Sequence, residues 1–247
     1  MNIAIIFGAS GGIGEELSCL VSFESIDEIW LVARKKEALE RVVSKCEKNT
    51  RIIEADLLKK EDIYKIKALL SEEKPNIKWL INSAGIGYYG NFCELSEEKS
   101  ASTVELNCAS LVTTAHMALP YMKKGSHLLF LSSASAFLPQ PKFAVYSASK
   151  AFVLSFARAL RRELKSDGIS VSVACPGPVD TDFLKLAYAG DFPKKKKPFV
   201  APCDKVCKTV FKKAKKGRAV ILPTFSMKFF RIITKILPHS LILWFAK

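Results

Sequence analysis

Histidine is scarce in this 247-residue chain: His116, His127 and His239 are the only three, and they are scattered. No cluster with metal-ligand spacing results, so no metal site is expected even though Cys203 and Cys207 lie four residues apart. The seven cysteines are odd in number and irregularly spaced, which speaks against a disulfide framework and suits reduced thiols in the cytoplasm. No stretch reaches the ~18 uncharged apolar residues that a membrane-crossing helix needs. Met1 to Phe7 is apolar but lacks a basic flank and a cleavage site, so it reads as a buried strand and not as a signal peptide. Acidic residues are missing from one end. After residue 193 only Asp204 remains, against 15 Lys and Arg, whereas residues 1–193 hold 23 Lys+Arg and 23 Asp+Glu. The net charge of +14 therefore belongs to the last 54 residues. No nucleic-acid partner is expected, because the chain has no aromatic-interleaved basic surface and no recognisable binding module.

What is present is 49% hydrophobic and long enough for one sizeable core. Short apolar runs recur at Ile3–Phe7, Glu28–Ala33, Arg51–Glu54, Lys78–Ile81, His127–Leu131, Ser170–Ala174 and Ala219–Leu222. Amphipathic stretches fall between most of them, around residues 12–23, 36–48, 60–72, 97–122 and 144–165. Apolar runs bounded by turn residues suit strands buried on both faces. Their alternation with helices predicts an α/β fold: a doubly wound, Rossmann-type parallel sheet of about seven strands in a single domain. Residues 1–193 form its dinucleotide-binding and catalytic region, and 194–247 a basic C-terminal part. Sheets of this kind bind ligands at the carboxyl ends of their strands.

Gly8-Ala9-Ser10-Gly11-Gly12-Ile13-Gly14 follows the first run and opens a helix. Glycines there allow a tight turn and close approach to a pyrophosphate, whose charge the helix N-terminal amides meet. About twenty residues on, a dinucleotide site needs a group that reads the adenosine ribose. An acid there would select NAD. Here the second run ends in Ala33-Arg34-Lys35, cations that suit a 2′-phosphate and favour NADP. Basic residues at a helix start oppose its dipole, which strengthens the case for an anionic ligand.

Tyr146 and Lys150 sit four apart at the start of a predicted helix, on one face, with Ser133 thirteen residues earlier at a strand's end. A phenol titrates near 10, too high for proton exchange at neutral pH, and a neighbouring ammonium lowers it. The serine hydroxyl holds a carbonyl beside that phenol, which protonates the oxygen as hydride from nicotinamide reaches the carbon.

Over about residues 2–185 the chain resembles the short-chain dehydrogenase/reductase family. Gly8, Gly12 and Gly14 match the family's cofactor glycines, and Asp56 its adenine-contacting acid. Asn82-Ser83-Ala84-Gly85 resembles its Asn-Asn-Ala-Gly strand end. Pro176-Gly177-Pro178-Val179-Asp180-Thr181 resembles the segment against the nicotinamide, with Val179 and Thr181 near the carboxamide. Asn107, Ser133, Tyr146 and Lys150 match the catalytic positions, and in the family the asparagine holds a water for proton relay to the lysine. Phe7 and Ser83 depart from the family pattern at positions that brace the sheet. The resemblance implies an NADP-dependent oxidoreductase interconverting a carbonyl and a secondary alcohol, assembled as a homodimer or homotetramer through the helices carrying Asn107 and Tyr146. The apolar tail points to a hydrophobic, ketoacyl-type or other lipid-like substrate. The alternatives are a non-catalytic dinucleotide-binding regulatory protein, which has no chemical need for all four catalytic groups, and an epimerase or dehydratase, for which the C-terminal part is short.

The basic end stays open. Lys194–Lys197 falls where the family places a mobile substrate lid, and Lys212, Lys213, Lys215, Lys216 and Arg218 suit a helix C-terminus. From Phe225 to Leu237, Lys228, Arg231 and Lys235 share one helix face and large apolar side chains fill the rest, before Pro238 and the apolar Leu241 to Phe245. Three uses fit: peripheral contact of residues 226–247 with the inner face of a membrane, a cover over the substrate cleft, or a subunit interface.

Overall fold

Alternating side chains of β1 (Asn2–Phe7) enter two different cores. Ile3, Ile5 and Phe7 point to one side of the sheet, Ala4 and Ile6 to the other, and none of the five is exposed. A strand of this kind gains from burial on both faces and belongs at the centre of a parallel sheet. The computed structural model describes residues 1–245 and places β1 there. Ala246 and Lys247 lie outside the described residues. So do the side chains of Lys194, Lys195, Lys196, His239, Trp244 and Phe245, and with them most of the Lys194–Lys197 run and the aromatic end of the tail.

β2 (Glu28–Ala33), β3 (Asn49–Glu54), β4 (Asn76–Asn82), β5 (Met122–Leu131), β6 (Ser170–Ala174) and β7 (Val220–Ile221) complete a seven-stranded parallel sheet in the order β3-β2-β1-β4-β5-β6-β7. The chain winds outward from β1 in one direction through β3, then returns to β4 and winds the other way. The crevice between β1 and β4 is the switch point, where such sheets bind their ligands.

Helices α1 (Gly12–Val21), α2 (Lys36–Val43) and α8 (Cys203–Lys215) cover one face through Leu17, Val21, Leu39, Val42, Val206 and Val210. The opposite face is covered by α3 (Lys60–Glu73), α5 (Ser110–Ala118) and α6 (Ala144–Glu163), through Ile66, Leu70, Leu111, Ala115, Val153 and Ala157. Between these lie α4 (Glu97–Val104) and α7 (Asp182–Ala187), and the chain closes with α9 (Phe225–Ile236) and α10 (His239–Phe245).

The helix expected from residue 97 to 122 differs. One π turn, Glu105–Ala109, separates α4 from α5, and a 3-10 turn containing Pro120 ends the segment. Proline offers no amide to continue the helical bonds, so Met122 is released to start β5 opposite Ile77.

Candidate active site

The glycine-rich turn binds the sheet's carboxyl edge to α1. Gly8 has φ +77°, and a Cβ on it would fall 2.6 Å from the Ala84 amide nitrogen. A Cβ on Gly14 would lie 2.1 Å from the Gly8 carbonyl oxygen. Glycine is thus needed at both positions, by conformation at the first and by space at the second. Ser83 braces the same turn by donating to the carbonyls of Phe7 and Gly8, each at 3.2 Å. Gly12 faces Thr181: a Cβ would come within 2.6 Å of its Cγ2. The first loop, the Asn82–Gly85 strand end and the Pro176–Thr181 segment therefore converge on one crevice.

That crevice fits a dinucleotide. No side chain caps the N-terminus of α1 at Gly11, so the first-turn amides around Gly12 and Ile13 are free for an anion beside Ser10. Arg34 and Lys35, at the end of β2, are exposed and have no ion pair among the described residues. Asp56 follows β3, with Oδ1 accepting from the Leu58 amide at 3.1 Å and its own amide donating to Asp62 Oδ2 at 2.9 Å. Asn82 donates to Thr114 Oγ1 at 2.9 Å, which ties the β4 end to α5.

The catalytic residues expected from sequence come together on the other side of the crevice. Asn107 lies in the π turn, a deviation that often marks functional helix segments, and is fully buried. Its Nδ2 donates to the Ile86 carbonyl at 2.8 Å and to Ser149 Oγ at 2.9 Å, while its Oδ1 accepts from the Ile86 amide at 2.9 Å. Both amide hydrogens are thereby used, and the side chain clamps the loop after β4 onto α6. Lys150 Nζ donates to the Leu131 carbonyl at 3.0 Å and lies 5.7 Å from the Tyr146 ring centroid. A Cβ on Gly85 would sit 3.1 Å from both Asn107 Oδ1 and Lys150 Nζ, so this glycine is where the two side chains meet the β4 loop.

The electrostatics differ from what the residue pattern alone indicates. From sequence, Lys150 is the group that lowers the Tyr146 phenol. In the structure burial is the larger influence and pushes the phenol well above its ordinary value, Ser133 pulls it partly back by hydrogen bonding, and Tyr188 raises it. Burial also brings the Lys150 amine down to about 8. A low-dielectric site disfavours both charged forms, and this is why the two groups move in opposite directions. Ser133 itself is oriented by Ser135, whose amide donates to its Oγ at 3.2 Å, and Gln140 in turn donates to Ser135 Oγ.

Sequence reasoning missed the enclosure of the phenol. Phe143 stacks on Tyr146 with centroids 4.3 Å apart, and Phe183 of α7 lies at 5.5 Å. Tyr188 packs on Phe143, Tyr89 and Phe192, while the Tyr89 amide donates to the Ala187 carbonyl at 2.8 Å and anchors α7 over the site. Gly87 permits this closeness, since a Cβ there would lie 2.5 Å from Tyr146 Cδ2. The available signal was the density of aromatic residues at 88–89, 183, 188 and 192 in segments that follow strands.

A glycine-rich turn at the switch point, open at a helix N-terminus and placed beside a Ser–Tyr–Lys group, suits an oxidoreductase that uses a nicotinamide dinucleotide. Residues 2–190 match the family described as short chain dehydrogenase. This chain belongs to that family. It is 28% identical over 198 residues to an uncharacterized oxidoreductase of Staphylococcus epidermidis, covering 79% of this chain and 84% of the relative. The fold is shared with a short-chain dehydrogenase from Sphingobium yanoikuyae in complex with NADPH, at TM-score 0.81 and 23% identity over 94% of this chain and 92% of that one. It is also shared with a short chain dehydrogenase/reductase from Burkholderia phymatum in complex with NAD, at TM-score 0.82 and 19% identity over 94% and 92%.

Proposed function

We propose that this chain is an NADPH-dependent reductase that converts a hydrophobic, lipid-like ketone to a secondary alcohol. The observation that carries the reading is the Tyr146 phenol, buried among the rings of Phe143, Phe183 and Tyr188 one helical turn before the buried Lys150. A bound nicotinamide dinucleotide supplies hydride. Ser133 holds the substrate oxygen next to the phenol. Because burial keeps the phenol protonated at neutral pH, Tyr146 stands ready as the acid that protonates this oxygen. Lys150, with its amine near 8, holds a proton at pH 7 that can offset the phenolate once Tyr146 has given up its own. Asn107 keeps the β4 loop and α6 in register, so these groups stay together.

Arg34 and Lys35 read the 2′-phosphate, and their exposure without an ion pair among the described residues supports this. Apolar walls at Phe143, Phe183, Tyr188 and Phe192 support a substrate with little polarity near its carbonyl. The chain assembles as a homodimer or homotetramer through α4 and α6, where Val104 and Phe152 are exposed. The seven free thiols suit the cytoplasm.

A panel of aryl, long-chain and short polar ketones, assayed with NADPH and with NADH, tests the reading. Long-chain or aryl ketones with NADPH are expected to be the best combination. Arg34→Asp is expected to weaken NADPH binding by about 10–150-fold, the range for loss of charge-assisted hydrogen bonds worth about 1.5–3 kcal/mol. Dinucleotide binding with no turnover of any ketone or alcohol in the panel would instead support the non-catalytic alternative.

A further inference from the structure

The α9 helix has two different sides. Its inner side meets the region flanking the catalytic group: Met227 Sδ would be 2.8 Å from a Cβ on Gly177, Arg231 stacks over the Phe137 ring at 5.3 Å, and Thr234 is buried. Its outer side carries Phe225, Phe229, Ile232 and Ile236, spaced i, i+4, i+7 and i+11 on one stripe, and exposed at 81%, 58%, 54% and 73%. Leu237 and Leu241 continue the exposed apolar surface beyond the helix. Single exposed hydrophobes are ordinary, but an ordered stripe of four along one helix marks an interaction surface.

Cations line one edge of this stripe. Lys228 and Lys235 are exposed, seven residues apart on the same side of the helix. Lys213 at the end of α8 is close to both Lys228 and Arg218, whose charges add to burial in lowering its amine. Among the described residues none of Lys213, Arg218, Lys228, Arg231 and Lys235 forms an ion pair. Apolar side chains bordered by unpaired cations complement the acyl boundary and phosphates of an anionic bilayer. A symmetric contact with a second copy would set the same cations against each other. A polyanion such as nucleic acid would leave the stripe in water. Among the described residues no helix is long and apolar enough to cross a membrane, so the contact would be interfacial.

We propose that α9 seats the protein on an anionic lipid surface, with Phe225, Phe229, Ile232 and Ile236 at the acyl boundary and Lys228 and Lys235 at the phosphates. Because the inner side of α9 contacts Gly177 and Phe137, docking sets the reaction crevice beside the bilayer. On the reductase reading above, the substrate is then a ketone dissolved in the membrane.

Sedimentation of the full-length chain with vesicles, without cofactor or substrate, tests the docking independently of catalysis. Wild type is expected to bind vesicles of phosphatidylcholine mixed with phosphatidylglycerol far more tightly than phosphatidylcholine alone. Lys228→Gln with Lys235→Gln should weaken that binding about 30-fold, from about 1 kcal/mol for each cation near an anionic surface. Phe225→Ser with Phe229→Ser and Ile232→Ser should weaken it by more than about 100-fold. Unchanged NADPH affinity in these variants would show that they are folded. Three outcomes would overturn the proposal: no binding of wild type to the anionic vesicles, a stripe variant that sediments like wild type, or a stripe that proves necessary only for self-association. If docking holds, vesicles should raise the reduction rate of a long-chain ketone and not that of a water-soluble one. Vesicle binding with no turnover of any ketone would leave the docking standing and remove the reductase reading.

Discussion

Truncating the Asn107 carboxamide removes three hydrogen bonds of 2.8–2.9 Å from a fully buried site. At about 1 kcal/mol net for each bond, Asn107→Ala should destabilise the fold by about 3 kcal/mol. In a domain of this size about 2–4 °C accompanies each kcal/mol, so the melting temperature should fall by about 6–12 °C. Asn82→Ala provides the scale, because it removes one such bond, to Thr114, and should cost about a third as much. Urea unfolding by circular dichroism measures both, provided the slope with denaturant stays constant. The reductase rate should fall with the Asn107 change, since the freed Ile86 segment borders Gly85 and Gly87, which touch Lys150 and Tyr146. A stability loss under about 0.5 kcal/mol would refute the clamp, because it would mean that Ile86 and Ser149 find equal partners without Asn107.

Gly87→Ala would place a Cβ 2.5 Å from Tyr146 Cδ2, so the ring must move; kcat should drop about 100-fold while NADPH affinity stays within about twofold. The reduction rate should fall as pH rises through about 8, where Lys150 loses the proton that offsets the phenolate, and Lys150→Met should be slower at pH 7 and show no such step. Between about 8 and the ordinary value of 10.5, the unfolded chain holds a proton that folded Lys150 has released. Wild-type stability should therefore rise with pH across that window relative to Lys150→Met, as paired urea titrations would show.

Most of the sheet is legible from the residues because its strands are short apolar runs, and β1 buries alternate side chains into two cores. Observed strands overlap the expected runs, with extensions at β1, β3, β4 and β5, while β7 at the sheet edge shortens from the expected Ala219–Leu222 to Val220–Ile221. The π turn at Glu105–Ala109 is not legible, because the apolar pattern continues through it and only tertiary bonds to Ile86 and Ser149 reveal what it does. The early part of β5 is hidden for a similar reason: Lys123, Lys124 and Gly125 carry no strand pattern, yet Met122 pairs with Ile77. Glycine turns and the Tyr146–Lys150 spacing are local, so their placement is readable. The direction of the Tyr146 shift is not, since it depends on rings at 89, 143, 183 and 188 brought from distant segments. The tail shows the same limit. Its amphipathic period is plain in sequence, but only packing against Gly177 and Phe137 identifies the side left exposed.

In the proposed NADPH-dependent ketone reduction, Tyr146 donates the proton to the substrate oxygen. Single-turnover oxidation of bound NADPH by the best ketone, compared between wild type and Tyr146→Phe, tests it most directly. The expected outcome is a loss of about 100-fold or more with NADPH affinity unchanged. Equal rates in the two proteins would contradict it.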